Sequence, residues 1–234
     1  MSIGRTIAGW RSEVVGVTSS VPPEFEHRYI AGEGNLAGLT LLLLHGTGGD
    51  GDSLLQLGYT LAPGATLLSP TGKVLENGAR RFFRRLAEGV FDQEDLALRT
   101  RELGEFIRDG ARAYNLDRHR IVAVGYSNGA NIASSLMLRQ PDALAGAVLL
   151  RPMVPFTPES RVVLSGIPVL ICAGEMDPLL PFGDTERLAD IFRSADADVT
   201  VHVEHAGHEL AMGDVIAARD WIAQNYNTEG ARSS

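Results

Sequence analysis

Short apolar runs alternate with amphipathic stretches along most of the chain. The runs have the length of strands, and most are continuous rather than alternating, which is typical of strands with both sheet faces covered. The predicted strands are Leu39–His45, Ala65–Ser69, Ile121–Gly125, Ala145–Leu150, Pro168–Ala173 and Val199–Val203, with His27–Ala31 as an earlier edge strand.

Helical periodicity fills the intervals between these runs. Leu96, Leu103 and Phe106 fall close to one face of a helix predicted between 93 and 117, with charges around the rest. Further helices are predicted at 128–140, 184–196 and 213–226. The alternation predicts a single α/β domain over residues 1–234, with a doubly wound, mostly parallel sheet of about seven strands and helices on both faces.

The ends and connections of this domain carry weaker patterns. Residues 1–20 are weakly patterned and are interpreted as an N-terminal arm, and residues 227–234 as a frayed tail. The connections are too short for a large cap domain. The best candidates for a partial lid are Thr71–Phe91 and Pro152–Gly166.

Composition restricts the class of protein. Apolar residues make up 44% and charged residues 21% of the chain, and the net charge of −8 disfavours nonspecific binding to nucleic acid or anionic membranes. The single cysteine, Cys172, excludes an intrachain disulfide framework and suits a reducing compartment. No apolar run approaches the roughly 20 residues of a membrane span, and the N-terminus lacks a signal-peptide core, so we expect a soluble cytoplasmic protein.

The sequence Gly125-Tyr126-Ser127-Asn128-Gly129 stands where a predicted strand meets a predicted helix. In this context G-x-S-x-G predicts a strained turn that exposes a nucleophilic serine, with glycines that allow tight strand–helix packing. The alternative is a loop serine that caps a helix. We therefore take Ser127 as the candidate nucleophile.

A serine nucleophile needs a base and an acid, which follow it in the order Ser, acid, His in this type of turn. His208 lies in "HAGHEL" between the last strand and the last helix, and His205 is the competing candidate. Asp177 follows the carboxyl end of a strand in "AGEMDP", and Glu175 is the alternative acid. We predict a catalytic set of Ser127, Asp177 and His208.

Acyl transfer also needs hydrogen-bond donors for the developing oxyanion. One is predicted at the backbone N–H of Asn128, after the nucleophile, and the second at Thr47 in "LLLLHGTGGD". The glycine-rich loop around Thr47 is also compatible with a phosphate cradle, but G-x-G-x-x-G and G-K-[ST] are both missing. His45 is interpreted as structural. His45, Asp50 and Asp52 lack a suitably spaced second histidine, so no metal site and no cofactor is predicted.

The segments "LLLLHGTGGD", "GYSNGAN", "AGEMDP" and "HAGHEL" together resemble the phospholipase/carboxylesterase family of α/β-hydrolases. The similarity covers about Leu39 to Tyr226 and is strongest to the small bacterial carboxylesterase branch, which includes hydrolases linked to hydroquinone and quinone stress. The resemblance implies the α/β-hydrolase fold, the same triad and oxyanion donors, and hydrolysis of small carboxylic esters.

Several apolar side chains are candidates for a substrate pocket, with ordinary packing as the alternative. They are Phe82, Phe83, Met153, Phe156 and Leu179. The two phenylalanines lie within "RRFFRR". One interpretation of this run is a solvated face over a buried aromatic pair. The other is that Phe82 or Phe83 closes the pocket while an arginine attracts an anionic substrate group. On this hypothesis, replacing Arg84 raises KM for anionic esters alone.

The sequence thus predicts a serine carboxylesterase. Its expected substrate is a small-molecule ester with a short to medium acyl group or a small aromatic group. Alternatives are an acyl-thioesterase or lysophospholipase, and a non-catalytic binding protein on a hydrolase scaffold. Dehalogenase chemistry would need an aspartate where Ser127 stands. No nucleic acid or stable membrane partner is expected, and a homodimer remains open.

Overall fold

The structure is a computed structural model that describes residues 25–180 and 183–226, so the predicted N-terminal arm and C-terminal tail lie outside the described residues. The strands are β1 (His27–Ile30), β2 (Thr40–Leu44), β3 (Thr66–Pro70), β4 (Val74–Glu76), β5 (Ala79–Arg81), β6 (Arg85–Ala87), β7 (Val90–Phe91), β8 (Ile121–Tyr126), β9 (Gly146–Leu150), β10 (Pro168–Gly174) and β11 (Asp198–Glu204). The helices are α1 (Leu55–Leu61), α2 (Gln93–Ala113), α3 (Asn128–Arg139), α4 (Asp184–Ser194) and α5 (Met212–Tyr226).

Seven strands form the main sheet in the spatial order β1-β3-β2-β8-β9-β10-β11. Only β1 is antiparallel to its neighbour, and every other pair is parallel. These seven are the strands predicted from the apolar runs. Because the other six run parallel, the loops after β2, β8, β10 and β11 all leave the sheet at its carboxyl edge, where open α/β sheets place their sites.

The helices cover both faces of the sheet. Core residues of α2, α3 and α4 form one buried cluster, and those of α1 and α5 belong to a second. Within β2, Leu42 and Leu44 join the first cluster while Leu41 and Leu43 join the second. This explains the continuous apolar run, since a strand buried on both faces has no polar side.

Residues 71–91, here called the wall segment, form two short antiparallel ribbons, β4–β5 and β6–β7. This segment is one of the two predicted lid candidates, and it contains no helix. The other lid candidate, Pro152–Gly166, contains no helix or strand. None of the helices in the described ranges is long and apolar enough to cross a membrane.

Candidate active site

Ser127 stands on the turn between β8 and α3 in a strained backbone conformation, with φ 51° and ψ −111°. Positive φ is uncommon for a residue with a side chain and is sustained only where the surroundings fix it. Here the Ser127 N–H donates to the Leu150 carbonyl at 2.8 Å, which ties the turn to β9. The sequence-predicted turn is therefore present and is anchored to the sheet.

Two glycines make this turn sterically possible. A Cβ at Gly125 would lie 2.6 Å from the Gly129 carbonyl oxygen, and a Cβ at Gly129 would overlap the Leu44 carbonyl. Real Cβ atoms do not approach backbone this closely, so α3 can pack against β2 and β8 only without side chains at these positions. Close approach of the backbone therefore explains why both outer positions of G-x-S-x-G are glycine.

Ser127, His208 and Asp177 are joined by hydrogen bonds. His208 Nε2 lies 3.0 Å from Ser127 Oγ, and His208 Nδ1 lies 2.7 Å from Asp177 Oδ2. The Asp177 side chain is fully buried, and its other oxygen accepts the Leu179 N–H at 2.9 Å. With Nδ1–H donating to the carboxylate, Nε2 is left as the acceptor for the serine proton, which is the geometry of a Ser-His-Asp triad.

The two alternative residues from the sequence pair with each other instead. His205 Nδ1 lies 2.7 Å from Glu175 Oε2, and both side chains are more than 60% exposed. This surface pair repeats the acid–imidazole arrangement of Asp177 and His208, but it makes no hydrogen bond to Ser127. The structure brings His208 to the serine and leaves His205 in solvent.

Buried donors hold the loop that carries His208. Arg151 Nε donates to the Gly207 carbonyl at 3.0 Å, and its Nη2 donates to the Glu209 carbonyl at 3.0 Å. Between them, the Tyr126 hydroxyl donates to the His208 carbonyl at 3.0 Å. Three consecutive carbonyls of the loop are therefore fixed by groups at the ends of β8 and β9, next to the serine.

Sequence reasoning missed Arg151, although a signal was available. An arginine directly after the apolar run of β9 stands where a buried charge is expected only with a partner. Its partner is Asp214 at the start of α5, which accepts from both terminal nitrogens of Arg151 at 2.9 and 2.7 Å, and both side chains are fully buried. Burial alone would lower the pKa of Arg151, but the hydrogen bond and charge of Asp214 raise it. The guanidinium is therefore a permanent cation.

The side chains of the two predicted oxyanion residues, Thr47 and Asn128, both accept hydrogen bonds from the wall segment. Arg81 Nη1 donates to Thr47 Oγ1 at 2.6 Å, and the Phe82 N–H donates to Asn128 Oδ1 at 2.7 Å. Within residues 25–180 and 183–226, neither the Thr47 nor the Asn128 backbone N–H has a protein acceptor. The oxyanion role of these two N–H groups therefore stays a prediction, and the structure shows only that their side chains are fixed by hydrogen bonds.

His45 fastens the loop that carries Thr47. Its Nε2 accepts the Gly72 N–H at 2.9 Å, so Nδ1 carries the proton and donates to the Gly46 carbonyl at 2.7 Å. Burial lowers the pKa of His45, in keeping with a neutral ring. Asp52 pairs with Arg28 at 2.7 Å. Among the described residues, no group of three His, Cys, Asp or Glu side chains is placed to hold a metal ion.

A cavity of about 230 Å³ opens above Ser127 and His208. Met153 and Leu179, two of the predicted substrate-binding residues, line it. A larger groove of about 540 Å³ lies between residues 157–162 and α4, but it includes none of the triad. We take the smaller cavity as the site, because it contains the reactive groups.

The other three predicted pocket residues do not line this cavity. Phe82 and Phe83 are at most 1% exposed and belong to the core under the wall segment. Phe156 also packs against that core and lies under the Arg139 guanidinium, at 4.1 Å from its ring centroid. Of the two interpretations of "RRFFRR", the structure therefore agrees with the buried aromatic pair, and the pocket role of Phe82 and Phe83 is wrong.

The arginines of that pattern also differ from expectation. Arg84 is 62% exposed in its side chain, pairs with Asp92 at 3.0 Å and does not line the cavity. Arg81 and Arg85 line it instead. Arg80 and Arg81 are neighbours on β5 and point to opposite faces, whereas Arg84 lies in the irregular connection before β6.

Comparison with known proteins shows which family the sequence matches. The sequence matches the phospholipase/carboxylesterase family over residues 26–226. It is 48% identical over 184 residues to MhqD of Bacillus subtilis (strain 168), which is named as a hydrolase; the match covers 79% of this chain and 92% of MhqD.

Solved structures extend the comparison to the fold. The Bacillus cereus carboxylesterase superposes with a TM-score of 0.84 at 47% identity, covering 87% of this chain and 95% of that one. The carboxylesterase from Mesorhizobium loti gives 0.80 at 31% identity, covering 85% and 94%. These similarities confirm the predicted fold class.

Proposed function

The chain belongs to the phospholipase/carboxylesterase family of α/β-hydrolases, and on that premise we propose that it cleaves small carboxylic esters through an acyl-enzyme on Ser127. The observation that carries the proposal is the continuous hydrogen-bonded chain from Ser127 Oγ through the His208 ring to the buried Asp177 carboxylate. A serine hydroxyl next to an oriented, neutral imidazole is an activated nucleophile.

In the first half-reaction Ser127 Oγ attacks the ester carbonyl while His208 Nε2 takes its proton. Asp177 keeps the imidazole in the required tautomer and stabilises its positive charge. The backbone N–H groups of Thr47 and Asn128 receive the oxyanion, a contribution of roughly 3–4 kcal/mol for each donor. His208 then protonates the leaving alcohol, and a water molecule repeats the sequence on the acyl-enzyme.

The size of the cavity supports a small substrate. Its volume of about 230 Å³ lies below the roughly 300–1,000 Å³ of pockets for drug-sized ligands. Short to medium acyl groups or small aromatic esters suit this volume better than a lysophospholipid chain. A reducing cytoplasmic location is part of the proposal and is supported by the use of a single cysteine, Cys172, which is free and buried.

The test is covalent labelling combined with turnover. A fluorophosphonate probe should modify Ser127 in the native protein, and the label should be found there by peptide mass spectrometry. Ser127→Ala should abolish hydrolysis of 4-nitrophenyl acetate and butyrate with an unchanged melting temperature. Turnover by the purified variant at the wild-type rate would refute the assignment. A chain-length series of esters and thioesters separates this proposal from a thioesterase.

A further inference from the structure

Two arginines of the wall segment line the cavity that contains Ser127 and His208. Arg81 and Arg85 lie on different ribbons, and both approach Glu76. The Arg85 Nε donates to Glu76 Oε1 at 2.7 Å, and the Arg81 Nε lies 3.4 Å from Glu76 Oε2. One carboxylate is therefore shared between two guanidinium groups.

The remaining charges around the cavity do not complete this pairing. Arg151 also lines the cavity, but Asp214 compensates its charge in full. Glu88 lines the cavity as an exposed side chain and has no ion-pair partner within the described part of the chain. Burial lowers the pKa of Arg81, and the charge of Arg85 lowers it further against the opposing effect of Glu76. Among the described residues, Glu76 is the one carboxylate within ion-pair distance of Arg81 and Arg85, so it balances their two positive charges only in part.

The two arginines differ in how many of their donors are free. Arg81 is 4% exposed, and it donates to the Phe83 carbonyl and to Thr47 Oγ1. The Arg85 side chain is 32% exposed and uses only its Nε in the described structure. Its two terminal amino groups therefore have no protein acceptor among residues 25–180 and 183–226. Free guanidinium nitrogens in this arrangement match the two oxygens of a carboxylate.

We propose that the site prefers esters which carry a carboxylate away from the scissile bond, and that Arg85 binds this carboxylate. The inference rests on the proposed esterase function and narrows its substrate class. Arg81 contributes positive charge, but its Nε and Nη1 already donate to Phe83 and Thr47. Arg85 is therefore the specificity-determining residue. The carboxylate belongs to either the alcohol or the acyl part of the ester, and the two halves of the test separate these cases.

The test compares matched charged and neutral esters. On the alcohol side, 4-acetoxybenzoate is compared with 4-acetoxybenzamide, which has nearly the same shape and no charge. On the acyl side, monomethyl adipate is compared with methyl adipamate. The wild-type enzyme should favour the carboxylate member of at least one pair by about 10-fold in kcat/KM, as expected for a charge-assisted hydrogen bond.

Two adjacent arginines provide the variant and its control. Arg85→Gln should reduce the charged-to-neutral ratio by about 10-fold through a higher KM for the carboxylate ester. Arg84→Gln should leave the ratio unchanged, because Arg84 pairs with Asp92 outside the cavity. Arg85→Lys keeps the positive charge but lacks the paired N–H donors of the planar guanidinium, so it should give an intermediate ratio. In wild type, raising the salt concentration should also reduce the preference.

Each outcome has a definite meaning. No charge preference in either wild-type pair, or equal effects of Arg84→Gln and Arg85→Gln, overturns the inference. If Arg85→Gln is unstable, the Arg85→Lys ratio and the salt series decide in its place. Ser127-dependent hydrolysis of the neutral esters keeps the proposed function even when this inference fails. If Ser127 takes no fluorophosphonate and the neutral esters are not hydrolysed, the proposed function fails and the inference falls with it.

Discussion

The cavity has two sides that are built in different ways. One side, which we call the floor, consists of the loops after β8, β10 and β11 that carry Ser127, Asp177 and His208. The other is the wall segment, residues 71–91. The floor is fixed to the parallel sheet by buried donors such as Arg151, whereas the wall is a pair of short ribbons with side chains as exposed as Leu86, at 73%.

We infer from this difference that the floor supports the reaction itself, whereas the wall determines which ester is preferred. The proposed transfer of a proton from Ser127 to His208 requires hydrogen-bond geometry that varies little, and a sheet edge with buried supports suits this requirement. The wall carries the cavity's Arg81, Arg85 and Glu88, and its two ribbons are separate from the seven-stranded sheet. The comparison implies that floor substitutions reduce kcat for every ester, and that wall substitutions change which ester is preferred.

Asp177→Asn should have the largest effect on activity. An amide cannot both accept from Nδ1–H and stabilise the imidazolium, so kcat should fall on the order of 10⁴-fold, as for the corresponding change in other triads. The substitution is isosteric, and the melting temperature should change little. Steady-state kinetics with 4-nitrophenyl butyrate and calorimetry give the two quantities.

Glu175→Gln is the matched control for that substitution. It breaks an acid–imidazole pair of the same length, 2.7 Å, that lies in solvent and away from Ser127. Its effect on kcat should be less than twofold. A loss comparable to that of Asp177→Asn would mean that the surface pair, and not the buried one, supports the nucleophile.

Arg151→Met should have the largest effect on stability. It leaves the Asp214 carboxylate buried without its partner, which destabilises a protein by about 3–5 kcal/mol. It also removes the donors to the carbonyls on both sides of His208. Urea denaturation should show the lost stability, and kcat should fall with little change in KM.

The double variant Arg151→Met/Asp214→Leu separates the two effects. Replacing both charges by apolar side chains removes the unpaired carboxylate, so most of the stability should return. The His208 loop would still lack its donors, so kcat should stay low. Full recovery of kcat together with stability would show that Arg151 supports the fold alone and does not position His208.

The sequence contains most of what determines the floor. Apolar runs, most of them continuous, located six strands of the main sheet, and the edge strand at His27–Ala31 completed the seven. The order of serine, acid and histidine along the chain selected residues that meet in space. This succeeded because a parallel sheet brings the ends of distant strands to one edge. What the sequence did not reveal is the support of the His208 loop, because no motif links Arg151 to Asp214 in the way that the Ser, acid, His order links the triad.

The wall segment was harder to predict for a physical reason. Its ribbons are too short for a periodic pattern, and in "RRFFRR" the apolar residues are adjacent rather than alternating. Phe82 and Phe83 are both buried, while Arg84 and Arg85 have different partners. The direction of each of these side chains depends on the irregular connection between β5 and β6. The composition of the run does not predict the conformation of that connection. Helix α1 was missed for a similar reason, since it has only seven residues.

Thr47→Val tests the hydrogen bond between the wall segment and the loop that carries Thr47. Arg81 donates to the Thr47 hydroxyl at 2.6 Å, so a valine of the same shape leaves a nearly buried guanidinium nitrogen without its acceptor. The backbone N–H of residue 47 is retained but less well positioned, and kcat should fall about 10-fold for neutral and charged esters alike. Thr47→Ser keeps the hydroxyl and should retain near wild-type kcat. An equal loss in both variants would point to the methyl group instead.

Glu88→Gln should have the smallest effect and the opposite sign from Arg85→Gln. Glu88 is an exposed negative charge at the cavity, and its removal should raise the ratio of kcat/KM for 4-acetoxybenzoate over 4-acetoxybenzamide about twofold at low salt. Glu94→Gln removes an exposed carboxylate of α2 that does not line the cavity, and it should leave the ratio unchanged. A falling ratio in Glu88→Gln would mean that this carboxylate orients Arg85 and does not repel the substrate, and the wall would then select its ester through a closed ion-pair network.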